Sequence, residues 1–219
     1  MQWCGGIKAS IKEQLIGLLQ AIPPHFRYWD FCIPAELDLP DVDTSTCTNQ
    51  ILDLSSSYVE LRTAFSSNHK RNLRGDVHVE SIDVNEFMRL FQRNTAARFG
   101  LSRGDIQVVH SILELVDSRG WLDIMRVKGT GCAAAIIKRN DKLVFFKSSN
   151  DQKGRDVKGV FHLINKVIED NAGGVKVLDF AGSDNPNTNR LYKGFGASAH
   201  VYLRVRRNKL PFPFNLLKK

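Results

Sequence analysis

The sequence predicts an α/β (α+β) fold on three grounds. Apolar residues recur at three- and four-residue intervals in several segments, the period of a helix face, and cluster or alternate in short runs elsewhere, the mark of strands. Three strand-like runs in mid-chain are joined by turns short enough to make an antiparallel meander. With 219 residues, 42% hydrophobic and 25% charged, the chain is of ordinary globular composition and can bury a core without disulfides or zinc. That composition excludes disordered, collagen-like and coiled-coil classes.

Ile7, Ile11, Leu15, Leu18, Leu19 and Ile22 share a helix face that ends at Pro23-Pro24. Phe26 to Ile33 reads as an aromatic-rich strand, and a loop with Pro34 and Pro40 separates it from a second strand at Thr48 to Leu54. Ser57 and Glu60 form a capping box for a helix running on into the basic stretch before Gly75. A strand at Val77 to Ile82 leads to Asp83, the N-cap of a helix from Val84 to Phe99, and a further helix spans Asp105 to Asp117. The meander is Trp121 to Val127, Cys132 to Lys138 and Leu143 to Ser148. Val157, Val160, Phe161, Ile164, Val167 and Ile168 line the next helix, followed by a strand from Val175 to Phe180. Asn185-Pro186 starts a helix of about two turns, with Asn as cap and Pro in the first helical position. A last strand, Ala199 to Arg206, precedes a basic tail.

The formal net charge is +8, and it is uneven. Residues 1 to 50 hold three basic and six acidic groups, so residues 51 to 219 carry +11. A basic body suits phosphate-bearing ligands such as a nucleotide cofactor or nucleic acid. The basic run His69 to Arg74 lacks interleaved aromatics and reads as a solvated helix face. Cys4, Cys32, Cys47 and Cys132 form no CxxC pair, so they read as free thiols of a reducing, cytoplasmic compartment, with no metal site expected. No apolar run is long enough to span a membrane, and no signal peptide is expected. None of the six His stands at a recognised catalytic spacing from a Cys, Ser or Asp.

From residue 55 the order is helices, meander, helix, strand, helix, strand, and it resembles the GNAT superfamily of acyltransferases. Asn185-Pro-Asn-Thr-Asn-Arg-Leu-Tyr192-Lys-Gly-Phe-Gly196 resembles the N-x6-Y-x3-G segment of that superfamily. Leu178 to Ser183 and Ser66 to Arg74 are similar to the FemAB-like branch, in which two GNAT-like modules stand in tandem. The resemblance covers roughly residues 50 to 207. It implies a mixed, mostly antiparallel sheet flanked by helices, with 55–207 as the GNAT-like domain, 1–54 as the remnant of a first module and 208–219 as a basic tail. It also implies transfer of an acyl group from acetyl-CoA or another acyl-CoA to an amine acceptor. A charged tRNA is the alternative donor, and a non-catalytic binding module is the alternative outcome.

By that resemblance Tyr192 stands where a phenol protonates the departing thiolate. A group with an ordinary pKa of about 10 suits the task, being protonated at neutral pH. Asp179, at the end of an apolar strand, is the candidate base. Ser149, Asn150, Lys153, Gly154, Arg155, Lys158 and Gly159 make a polar strand-to-helix turn where backbone N–H groups and cations can bind pyrophosphate. The superfamily's Q/R-x-x-G-x-G/A pattern is matched imperfectly, with Gly159 one place off. Asn185, seven residues before Tyr192, shares its helix face and is the remaining candidate contact. The apolar face of residues 1–54 is expected to pack on the main body or on another chain, and that segment or the tail would carry any homo-oligomer contact.

Overall fold

The structure, a computed structural model, describes residues 9–33, 42–174, 177–182 and 185–216. Cys4, Ile7, the loop residues Pro34 and Pro40, the start of the strand at Val175, and Ser183 and Asp184 lie outside the described residues. The chain forms two compact units.

One unit comprises residues 1–49, 182–184 and 199–219. Its described elements are α1 (Ala9–Gln20), β1 (Tyr28–Ile33), the first part of β2 (Asp43–Asp53) and most of β8 (Ser198–Asn208). β1 runs antiparallel to β8, from Tyr28 opposite Asn208 to Ile33 opposite Leu203. Ile33, Leu203 and Val205 form a small core against Ile16, Leu19, Trp29 and Val42. On the pair's other face Arg204 donates to both Asp30 oxygens, at 2.7 and 2.6 Å, and holds that carboxyl below the usual range.

The larger unit comprises residues 50–181 and 185–198. It contains α2 (Tyr58–Thr63), α3 (Ser67–Asn72), β3 (Val79–Ser81), α4 (Val84–Phe91), α5 (Ala97–Phe99), α6 (Arg103–Asp117), β4 (Leu122–Val127), β5 (Ala133–Arg139), β6 (Lys142–Ser149), α7 (Gln152–Asp156), α8 (Gly159–Asn171), β7 (Val177–Asp179) and α9 (Pro186–Lys193). Its strands stand in the order β2, β7, β6, β5, β4, β3. Every pair is antiparallel except β6 and β7. The expected mixed, mostly antiparallel sheet flanked by helices is therefore what the chain forms.

β5 shows why helices cover both faces. Ala133 and Ala135 point into a core with Phe87, Phe91, Val109 and Leu113 of α4 and α6, while Ala134 and Ile136 point into one with Leu163, Ile164, Val167 and Ile168 of α8. A strand buried on both sides reads as a continuous apolar run, and its small residues let the helices come close. Among the described residues no helix is long and apolar enough to cross a membrane.

Two expected helices differ in form. The helix from Ser57 stops at Thr63, and a second begins at Ser67, because buried Phe65 anchors the chain and Ser66 caps anew by accepting from His69 N. The segment from Val84 to Phe99 is helical throughout but contains a π turn at Gln92–Ala96. That turn lets Asn94 donate to Ser149 Oγ at 3.0 Å and Thr95 to the Ser148 carbonyl at 2.9 Å, tying the helix to the end of β6.

His69, counted as background from sequence, is buried and joins α3 to α9. Its Nε2 donates to the Leu191 carbonyl at 2.8 Å, which leaves Nδ1 to accept from the Ser66 hydroxyl at 2.8 Å. The ring lies edge-on to Phe161 and Phe195 and fills the space a side chain at Gly194 would need. Gly194→Ala should therefore cost about 2 kcal/mol or more by overpacking, and much less in a His69→Ala background. Equal costs in both backgrounds, measured by denaturant melts, would refute the clash.

Burial pushes the pKa of His69 below 6.5, and of His162 likewise, against the smaller opposing effect of their backbone hydrogen bonds to Leu191 and Asn72. Both are held neutral, so their contribution is complete above about pH 6.5 and fades as pH falls towards the lower folded values. Unfolding free energy should drop between pH 7.5 and 5.5, and a flat profile there would contradict this.

Candidate functional site: the split between two parallel strands

Among the described residues β6 and β7 pair over three rungs, Lys142 with Val177, Leu143 with Leu178 and Val144 with Asp179. β6 runs on to Ser149, while Phe180 N turns away to donate to the Gln50 carbonyl of β2 at 3.1 Å. The strands part beyond Val144 and Asp179. Across β5 the register also shifts near Phe146, a bulge that changes the aim of β6 at the same level.

At the far end of β6 stands the polar turn. Ser149 is fully buried, donating to the Leu90 carbonyl at 3.0 Å and accepting from Asn94, so it pins the strand end. Asp151 caps α7 by accepting from Gly154 N at 2.8 Å. A Cβ on Gly154 would fall 2.5 Å from Cys132 Cβ, and one on Gly159 would fall 2.8 Å from Cys132 Sγ. Packing against that buried thiol, whose pKa burial raises to about 12, is thus sufficient reason for both glycines. Lys158 adopts a left-handed conformation and leads into α8 without a side-chain cap. The first N–H groups of α8 therefore meet no capping side chain, and the exposed Lys153, Arg155 and Lys158 lie in the same turn. Arg155 is steadied by Gln152 and the Asn150 carbonyl. Asn150 Oδ1 is buried without a partner.

Tyr192 lies on the side of the opening lined by α8 and α9. Its ring stacks on Phe180 at 4.0 Å and meets Phe145 at 6.3 Å, and it is 8% exposed. Burial pushes its pKa up to about 12, and its hydroxyl makes no hydrogen bond with a described residue. Asp179 is placed differently. Adjacent strand residues point to opposite faces, so it lies across the sheet from Phe180. Its carboxylate pairs with Lys142 and accepts from Ala181 N at 2.7 Å. Asn185 uses its side chain as the α9 cap, accepting from Asn187 N at 2.9 Å. The fold thus sets Tyr192 against Phe145 and Phe180, the start of α8 against Cys132, and Asp179 on the other face of the sheet. Among the described residues no cluster could hold a metal ion.

One residue went unnoticed in the sequence. Gln50 is 1% exposed, and neither amide atom has a hydrogen-bond partner. The only available signal was its place in the inward alternation with Leu52 and Leu54.

Because the Tyr192 hydroxyl has no partner, Tyr192→Phe should change stability by less than about 1 kcal/mol. A larger loss in thermal or chemical melts would reveal a bond made by that hydroxyl.

No protein-family model matches the sequence, and no curated protein matches it. Solved structures do. FemX superposes with a TM-score of 0.59 at 13% identity over 78% of this chain, which spans 63% of the FemX chain. A conserved protein of unknown function from Staphylococcus epidermidis superposes at 0.58 and 9% identity, covering 92% of this chain and 80% of that one. One of unknown function from Bacteroides thetaiotaomicron superposes at 0.51 and 11% identity, covering 93% and 68%. At the level of the fold, this chain is similar to FemX.

Proposed function

We propose that this chain transfers an acyl group from an acyl-CoA to an amine, using the opening between β6 and β7. Two observations support the reading: a protonated, unpartnered phenol packed on Phe145 and Phe180, where β6 and β7 part, and an uncapped, basic helix start in the connection that follows β6. The residues fit an acyl-CoA: Lys153, Arg155, Lys158 and the first N–H groups of α8 would hold its phosphates. When bound, the cofactor supplies an activated thioester. Tyr192 holds a proton at its Oη for a departing thiolate, a proton it keeps at neutral pH because burial opposes ionisation. Asp179, tied to Lys142 and Ala181, acts through position. Deprotonation of the incoming amine falls to water or to the amine's own neutral fraction, and the oxyanion calls for a backbone N–H donor.

A charged tRNA is the second reading of the donor, favoured by the +11 charge of residues 51–219 and the imperfect coenzyme A pattern.

Calorimetric titration with coenzyme A, acetyl-CoA and tRNA separates the readings. Combined Arg155→Glu and Lys158→Glu should weaken coenzyme A binding at least about ten-fold and flatten its salt dependence. Unchanged affinity would place the phosphates elsewhere. Tyr192→Phe should lower single-turnover transfer by about 10- to 1000-fold, and a fully active variant would remove Tyr192 from the mechanism.

A further inference from the structure

Gln50 sits at the level where the sheet opens. Its carbonyl accepts from Phe180 N, so the two residues lie side by side on neighbouring strands, with side chains on the same face. Phe180 stacks on Tyr192, and Phe145 of β6 lies 6.1 Å from Phe180 on the other side. One carboxamide therefore stands in a row of aromatic rings, with both its oxygen and its nitrogen unpaired. A second unpaired amide oxygen, buried Asn189 Oδ1, lies three residues before Tyr192 and hence on the same side of α9. Buried polar atoms are rarely left unpaired, and those that are call for a reason.

We propose that Gln50 is a binding residue for a secondary amide, with its nitrogen donating to the ligand carbonyl and its oxygen accepting the ligand N–H. A carboxamide and a secondary amide complement each other in both bonds, whereas a carboxylate, a phosphate or an ammonium would leave one Gln50 atom unpaired. The apolar rings around the pair strengthen both bonds. The ligand enters beside Phe145, and the Phe180 and Tyr192 rings, stacked on each other and in contact with Phe145, move aside to admit it. The proposal deepens the acyl-transfer reading by naming the chemistry bound beside Tyr192. Two sources carry such an amide, the pantetheine arm of coenzyme A and a peptide-like acceptor.

The test titrates the full chain, followed by NMR, with pantetheine, with a blocked dipeptide amide, and with adenosine 3′,5′-bisphosphate, which has phosphates but no amide. Gln50→Met keeps the length of the side chain and removes both polar atoms, and Gln50→Leu repeats the test should methionine crowd Phe180. The expected result is an affinity at least ten-fold lower for pantetheine or for the dipeptide amide, with bisphosphate binding unchanged and melting temperature equal or higher. Whichever amide loses affinity identifies the source. If the bisphosphate fails to bind while an amide probe behaves as expected, the phosphate site is wrong and this proposal stands. Failure of both amide probes to bind the unmodified chain overturns it, as does undiminished amide binding by the variants. A variant that is less stable yet binds as before would assign Gln50 to an internal water and overturns it too.

Discussion

The larger unit depends on the parallel pairing of β6 with β7 and on its early end. Parallel neighbours cannot be joined by a tight turn, so the chain must leave the sheet after Ser149, cross one face and return. α7 and α8 are that crossing. Their place follows from the pairing: α8 has to begin beyond the carboxyl end of β6, where its first residue packs against Cys132 at the head of β5. α9 begins a few residues further on, so the phenol of Tyr192 reaches the sheet from the second connection. The last described rung, Val144 with Asp179, thus marks where the strands part, with Phe145 and Phe180 just beyond it and the Tyr192 ring packed on both.

Glycines near such a turn invite a ligand explanation, and here that inference would be unsafe. Gly154 and Gly159 are both answered by Cys132, whose side chain occupies the space their Cβ atoms would need. Gly194 is answered by His69 in the same way. The close approach of helix to strand therefore follows from packing alone, and the case for phosphate rests on other ground. That ground is the absence of a side-chain cap on α8 and the three exposed cations before it. A helix start capped by its own Ser or Asp, like those of α6 and α7, has already spent its best acceptor on its own N–H groups.

Much of the fold was legible because its signals are local. Ser57, Asp83 and Asn185 each cap the helix expected of them, and the short strand-like runs of β4, β5 and β6 are visible within a few residues. What stayed hidden depends on partners distant in sequence. The break at Ser66 is stabilised by His69 reaching Leu191, and the π turn by Asn94 and Thr95 reaching β6. Tyr192 could be picked out by its spacing from Asn185, but its stack on Phe180 could not. Asp179 was legible as a candidate base at a strand end, but its partner Lys142, distant in sequence, was not.

Gln50 marks the limit of such reading and a more general point about cores. Along β2 the inward positions run Gln50, Leu52, Leu54, and by pattern alone the first should also be apolar. A leucine there would remove two unpaired atoms from the interior at no loss of packed volume, so folding by itself gives no reason for an amide. Where a chain departs from the residue its own packing favours, a role beyond folding is the usual cause. The departure falls beside Phe180 at the last rung before the sheet opens, where Ala181 and Gly182 follow in left-handed conformations. Strain in the backbone and an unanswered amide in the core meet within one rung of each other, and a stretch that costs stability twice over is where this fold has kept something other than stability.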